Sequence, residues 1–147
     1  MYKLTFPILE FDKVDRNNHY YSTEVVRGMF EVMKRNNIKI IPVVFVNRID
    51  VHNFLSMSPL HFAGFAKITQ GSGKTLFAEI EVSPTPDGLE LMKVIESSYD
   101  DLEFHVCGIA DRHLDPADVI IVDSFELIYI TAHPGIYDDQ EHLPQFV

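Results

Sequence analysis

The chain has 147 residues, of which 46% are hydrophobic and 23% charged, so we expect one globular domain and exclude a disordered polymer. Its 22 acidic residues outnumber the 12 lysines and arginines, and the net charge of −10 disfavours a nucleic-acid partner. No apolar run approaches the roughly 20 residues that span a bilayer, and no secretion signal is recognised, so we expect a soluble protein with no membrane partner.

The N-terminal part of the chain predicts a strand, a turn and a helix. Apolar and polar residues alternate from residue 2 and predict a strand that stops near Pro7, while the polar residues 15–18 favour a turn. A hydroxyl at Ser22 or Thr23 is expected to cap the helix, because its oxygen accepts a free N–H of the first turn. The apolar stripe of this helix consists of Val25, Val26, Met29, Phe30 and Met33.

Strands are predicted for the middle of the chain. The first helix is expected to end near residues 36–37, where two asparagines follow each other. Residues 38–46 are apolar and β-branched and predict a strand, in which Pro42 indicates an edge position or a bulge. Residues 61–69 and 75–82 predict a hairpin whose second strand has one buried face.

The turn of this hairpin is expected around residues 70–73, and the overlapping residues 71–75, with the sequence GSGKT, are similar to part of a phosphate-binding loop. That loop needs a further glycine where this chain has Ile68, and it joins a strand to a helix. Because Thr75 opens a predicted strand, we interpret the segment as a hairpin turn. No nucleotide or other cofactor is expected.

A second helix is expected to start at Thr85, Pro86 and Asp87 and to run to about Ser98. The threonine supplies a hydroxyl cap, the proline suits the first turn, and the acid lies near the positive end of the helix. The side chains expected on its buried face are Leu89, Met92 and Ile95.

Residues 102–109 and 119–131 predict two further strands. The order of elements indicates an α+β fold with a mostly antiparallel sheet or a small β-barrel, flanked by two or three helices. We expect a single domain over residues 1–136. Residues 137–147 are expected to form a C-terminal extension that either frays or docks on a partner.

The only cysteine, Cys107, lies in the first of these two strands and cannot form an intramolecular disulfide. Glu103, His105 and Cys107 share one face of that strand, because side chains alternate with period two. Neighbours on that face are about 7 Å apart along the strand, too far for direct proton transfer between His105 and Cys107. Cys107 is therefore either a nucleophile whose base comes from another strand or a small buried thiol.

Two acids, Asp123 and Glu126, interrupt the apolar strand over residues 119–131. Either could orient a histidine in a catalytic triad, or could mark the solvent face of the strand. Residue types alone do not separate these interpretations.

The seven histidines do not predict a metal site. None of them forms a helical i, i+4 pair, and a cysteine pair is missing. Residues 111–115, with the sequence DRHLD, could supply ligands but are more typical of a solvated loop. No metal is expected.

Taken together, the order and spacing of these segments resemble the tailed-phage prohead (capsid maturation) protease family, which shares its core fold with the herpesvirus assemblins. Residues 17–21, NNHYY, resemble the opening motif of the family without its Gly-Arg pair, and residues 126–134, ELIYITAHP, are similar to its closing strand. The resemblance implies the same core fold. The matching stretches are residues 17–33, 61–82, 85–95, 104–109 and 123–134.

The resemblance also implies where a catalytic site would lie. Enzymes of the family use a serine nucleophile on the strand after the second helix, an upstream histidine, and a histidine or acid on the last strand. His61 matches the upstream histidine, and Asp123 or Glu126 falls near the third member. The nucleophile position holds His105, or Cys107 if the register shifts by two, so the serine chemistry of the family is lost.

The function implied first is therefore that of a non-catalytic virion protein, structural or decorating, on the capsid of a bacteriophage. Its partners would be the major capsid protein or other virion proteins, and a homo-oligomer is a further possibility. It would lie in the virion and, during assembly, in the host cytoplasm. One alternative is an active capsid maturation protease that uses Cys107 with His61. A second is a phage accessory protein that binds a host factor.

Overall fold

The computed structural model of the chain describes residues 3–15, 17–45, 62–71, 73–98 and 102–134. Seven strands and two helices lie in these residues. In chain order they are β1 (Lys3–Glu10), β2 (His19–Tyr21), α1 (Thr23–Arg35), β3 (Ile41–Phe45), β4 (Gly64–Gln70), β5 (Thr75–Val82), α2 (Pro86–Ser98), β6 (Leu102–Leu114) and β7 (Ile120–Pro134).

The strands form one mixed sheet that curls into a half-barrel. β6 pairs with β7 in antiparallel direction, whereas β2 and β3 both run parallel to β7. The sheet continues from β3 through β4 and β5 to β1 by antiparallel pairings. The predicted α+β fold with a mostly antiparallel sheet or small barrel is therefore wrong, because the described residues are mainly β and the sheet is mixed. Local patterns do not reveal parallel pairings between segments that are far apart in the sequence.

Helix α1 begins and ends where the sequence predicts. Ser22 Oγ accepts the N–H of Val25 at 3.2 Å, and Asn36 caps the other end. Asn37 follows with a φ of 55°, a left-handed conformation that asparagine tolerates. The predicted stripe faces the core, where Val26, Met29 and Met33 are buried and Val25 and Phe30 pack against them.

The two strands that contain prolines, β1 and β3, differ from the prediction in length and in position in the sheet. β1 does not stop at Pro7 but continues to Glu10, with a register shift after the proline. β3 is not an edge strand, because it lies between β4 and β7. Its two pairings are staggered, with residues 41–43 on β4 and residues 43–45 on β7, so Pro42 has only one paired neighbour.

The predicted hairpin is formed by β4 and β5. Glu79 and Glu81 face solvent on β5, as the alternating pattern predicts. The turn contains Gly73 with a φ of 86°, and the N–H of Gly71 donates to the carbonyl oxygen of Thr75 at 3.2 Å. Because Thr75 begins a strand and not a helix, this segment is a hairpin turn and not a phosphate-binding loop.

Helix α2 also starts where the sequence predicts. Thr85 Oγ1 accepts the N–H of Gly88 at 3.0 Å and donates to the carbonyl oxygen of Phe62 at 2.6 Å. This one hydroxyl therefore caps the helix and ties it to the residues before β4.

The buried face of α2 differs from the prediction. Leu91 and Ile95 are buried, but Leu89 is 53% exposed. A Cβ on Gly88 would lie 1.8 Å from the carbonyl oxygen of Ser83, so the helix backbone packs directly against the backbone of Ser83 at this glycine. Leu91 and Ile95 follow Gly88 at helical spacing and lie on the same side, whereas Leu89 points elsewhere.

The strands β6 and β7 form a long hairpin that includes residues expected in a loop. Residues 111–114 belong to β6 and pair with β7, so the loop prediction for residues 111–115 is wrong for these four. The turn follows at Asp115, whose Oδ1 accepts the N–H groups of Ala117 and Val119 at 2.8 and 2.9 Å.

A hydrophobic core extends from Phe6 on β1 to Ala132 on β7. Within the described part of the chain, neither helix combines the length and the apolar character needed to cross a membrane. The domain boundary at residue 136 and the extension 137–147 lie outside the described residues, so the domain assignment stays a prediction.

Candidate functional site

The candidate site lies where β6 pairs with the C-terminal half of β7. Leu102, Phe104 and Val106 point from β6 into the main core, as the period-two pattern predicts. Cys107 belongs to a second, smaller cluster with Val44 of β3 and Tyr129 of β7. We call these last three residues the Cys107 cluster.

A β-bulge follows the cysteine. The register shifts between Cys107, which pairs with Tyr129, and Gly108, which pairs with Leu127. A Cβ on Gly108 would lie 2.0 Å from the carbonyl oxygen of Glu126, so a glycine is required at this point. The bulge changes the direction of β6 directly after the thiol.

Cys107 is buried, with 1% of the residue exposed. Its sulfur has polar neighbours on both strands. Sγ lies 3.9 Å from Oγ1 of Thr131 and 4.0 Å from the carbonyl oxygen of His105. Thr131 itself is buried and pairs with Val44 of β3. The thiol is therefore held as a weak donor inside the sheet, as expected for a buried structural cysteine.

The side chain of His105 is half-buried on β6. Together with Glu103 it lines an open groove of about 450 Å³ between β1 and β6. The structure thus brings the main chain of His105, through its carbonyl oxygen, within reach of the sulfur of Cys107.

The two acids proposed for a triad lie away from Cys107. Asp123 Oδ2 contacts Nδ1 of His113 at 2.7 Å, and both side chains are exposed. Glu126 is exposed opposite Ile109. Counted from Tyr129, the partner of Cys107, the acids are about 20 and 10 Å along β7. They are not brought together with the thiol.

The histidine proposed as the base, His61, lies outside the described residues. Its neighbour Phe62 packs against the Cys107 cluster, and Phe62 also contacts Phe65 of β4, with ring centroids 5.8 Å apart. The pairing of His61 with Cys107 stays a prediction.

Sequence reasoning missed buried polar side chains on β2. His19 is 2% exposed and Tyr21 is buried next to it, with their ring centroids 6.3 Å apart. Asp15 Oδ1 lies 3.9 Å from Nδ1 of His19 and accepts its backbone N–H at 2.9 Å. The three residues of β2 are too few to show a hydrophobic period, so no pattern in the sequence signals their burial.

Electrostatics in this group follow from burial. Loss of water lowers the pKa of His19, Asp15 opposes this effect, and Arg112 reinforces it. Burial also raises the pKa of Tyr21 far above its usual range, and the negative charge of Asp15 acts in the same direction. Near neutral pH both side chains are therefore uncharged.

Thr131 was also missed, because a threonine in an apolar β-rich strand is an ordinary strand residue. For metals, the described residues contain no group of three or more histidines, cysteines or acids that could hold an ion.

Comparison with known proteins identifies a neighbour in fold. A scan against protein-family models finds no match, and a search of curated proteins finds none either. Among solved structures, the capsid assembly protease gp21 of bacteriophage T4 matches with a TM-score of 0.64 over 89% of this chain and 80% of that one. The chain is similar in fold to a phage capsid assembly protease. With 13% sequence identity the likeness concerns the fold alone.

The expected prohead-protease-like fold is confirmed by this likeness, although the predicted sheet type is not. The relation to the herpesvirus assemblins stays a prediction, and so does the state of the catalytic site.

Proposed function

We propose that this protein takes part in phage capsid assembly as a non-catalytic member of the prohead-protease fold. The likeness in fold to a capsid assembly protease supports the assembly role. The burial of Cys107 carries the non-catalytic part of the proposal. Cys107 lies on β6, the strand after the second described helix, and this is the strand on which the resemblance to the prohead proteases expects the nucleophile.

The chemistry of acyl transfer explains why this burial matters. A nucleophile must approach the carbonyl carbon of its substrate to roughly 3–3.5 Å. Cys107 is 1% exposed and packs with Val44 and Tyr129, so the surroundings of its sulfur would have to open before a peptide could reach it. The acids Asp123 and Glu126, on an exposed part of β7, are too far away to orient a base beside the sulfur.

Under this proposal the protein acts by binding. Its partners are the major capsid protein or other virion proteins, and it accompanies the capsid during assembly in the host cytoplasm and in the virion. Residues 1–136 form the binding domain, and residues 137–147 form an extension. The acidic character of the chain, with a net charge of −10, favours basic surfaces on a partner.

The reactivity of the thiol tests this proposal directly, since Cys107 is the only cysteine. We expect iodoacetamide to modify the native protein at least roughly 100-fold more slowly than the protein in urea, because a buried group reacts only in opened molecules. Mass spectrometry over time measures both rates. Incubation with purified capsid precursor should give no cleavage, and Cys107→Ala should co-sediment with capsids as the wild type does.

A second candidate function is an active cysteine protease, and the position of Cys107 on β6 is the observation that favours it. In that case alkylation in the native state would be fast, and cleavage of the precursor would disappear in both Cys107→Ala and His61→Ala. His113→Ala serves as the matched control, because His113 lies on the exposed part of the hairpin. Cleavage with this pattern would overturn the non-catalytic proposal.

A further inference from the structure

A groove of about 340 Å³ lies between helix α1 and the β6–β7 hairpin, away from the Cys107 cluster. This volume lies at the lower end of the range of roughly 300–1,000 Å³ that is usual for small-molecule sites, which is ample for one apolar side chain. We call it the α1 groove. Its apolar lining comprises Val25, Met29, Val32, Ile109, Ala110 and Phe125.

Gly28 of α1 leaves a notch in the wall of the α1 groove. A Cβ at this position would meet no atom within 4 Å, so neither packing nor a close approach requires a glycine there. A glycine inside a helix is less favourable than an alanine, because it loses more conformational freedom on folding. The fold thus leaves open space beside an apolar surface that includes the exposed side chain of Ile109.

The rim of the α1 groove is acidic. Glu24 of α1 and Asp111, Asp123 and Glu126 of the hairpin line it, and all four are exposed. Arg27 and His113 contact two of these carboxylates from outside the lining. The residues that line the groove, every one of them among the described residues, include no lysine or arginine.

We infer that the α1 groove binds a basic segment of a partner protein, which places an apolar side chain beside Gly28 and lysines or arginines against the acidic rim. The accessible part of the apolar lining, Val25, Val32 and Ile109, supplies the contact area, and the four carboxylates select for positive charge. This inference deepens the proposed function and rests on it only in taking the partner to be a protein of the capsid. It does not involve the thiol.

The probe is a short fluorescein-labelled peptide of lysines with two central leucines, and its binding is followed by fluorescence anisotropy. We expect it to bind the full chain, and to bind more weakly as salt rises, because the charges on the rim are exposed. A peptide with glycines in place of the leucines should bind at least about tenfold more weakly. Equal binding of the two peptides would contradict an apolar anchor site.

Variants of the protein locate the site. Gly28→Leu fills the notch and should weaken binding of the leucine-containing peptide at least about tenfold, whereas Gly28→Ala should retain most of it. Glu126→Lys should weaken binding by a similar factor. Its matched control, Glu81→Lys, makes the same charge change on the exposed face of β5 and should have little effect.

The outcomes separate this inference from the proposed function. Unchanged binding in Gly28→Leu, or an equal loss in Glu126→Lys and Glu81→Lys, would overturn the α1 groove as the site. Thermal unfolding of each variant shows that it is folded. Because the peptide assay involves no capsid, its failure would not contradict the proposed assembly role. Conversely, cleavage of capsid precursor would not contradict binding in the α1 groove.

Discussion

At the scale of single residues, polar side chains connect the loop before α1 to the start of that helix and to the turn between β4 and β5. Asp12 accepts the hydroxyl of Thr23 at 2.5 Å and the ammonium group of Lys74 at 2.9 Å. The hydrogen bond from Thr23 and then the one from Lys74 lower the pKa of Asp12 to about 2. A few residues on, burial next to Tyr21 holds His19 uncharged, although Asp15 opposes this effect.

The buried His19 makes stability depend on pH. Its pKa in the folded chain is lowered from 6.5, so below that value the unfolded chain takes up a proton that the folded chain resists. The free energy of unfolding should therefore fall as pH decreases below about 6.5, by at most about 1.36 kcal/mol per pH unit for this proton. Urea denaturation between pH 7.5 and 5.5 measures it.

A pair of variants assigns this pH dependence. His19→Gln should flatten the decrease, because the titrating group is removed. His113→Gln, a change at an exposed histidine, should leave most of the decrease in place. A decrease that is identical in wild type and His19→Gln would show that other groups cause it.

At the scale of elements, the two helices contain glycines with opposite roles. Gly28 lies in α1 beside open space, whereas Gly88 lies in α2 where its backbone touches Ser83 and Ala63. Both helices start at a hydroxyl cap that the sequence predicts, at Thr85 for α2 and at Ser22 or Thr23 for α1, where the structure shows Ser22. Whether each glycine faces open space or a close backbone contact could not be predicted from the sequence, because this depends on the distance to chain segments outside the helix.

The same substitution at the two glycines should therefore have opposite effects. Gly28→Ala should raise the free energy of unfolding by about 0.5–1 kcal/mol, through reduced freedom of the unfolded chain. Gly88→Ala should lower it by about 1–3 kcal/mol, because the new Cβ must displace the carbonyl group of Ser83. Chemical denaturation of both variants measures the difference. Equal effects would show that the approach at Gly88 is not tight in solution.

At the scale of the whole molecule, β7 holds the sheet together because it pairs with β2, β3 and β6. Its residue Ile130 pairs with Val43 of β3 and Val106 of β6 and is fully buried. Since β7 joins segments from both ends of the described chain, the fold depends on contacts that form only when the sheet is assembled.

Shortening a buried side chain of β7 should thus destabilise the protein strongly. Ile130→Ala should lower the free energy of unfolding by about 2–5 kcal/mol, which combines lost apolar burial and a cavity. Ile40→Ala, the same change at a side chain that is 56% exposed, should alter it by less than about 0.5 kcal/mol. Urea denaturation gives both values. A small effect at Ile130 would contradict the central position of β7.

The sequence alone determined the features that depend on near neighbours. A cap at Ser22 or Thr23, a cap at Thr85, the end of α1 near residues 36–37 and the hairpin turn that includes Gly73 each follow from local hydrogen bonds or backbone preferences. The likeness to a capsid assembly protease was also expected from the order of such segments.

Only the tertiary structure decided the remainder. The parallel pairings of β2 and β3 with β7, the exposure of Leu89 and the separation of Asp123 from Cys107 all depend on which distant segments meet. Alternation and helical spacing state which side chains share a face, but not what lies opposite that face. For this reason the burial of Cys107 could not be obtained from the residues of β6 by themselves.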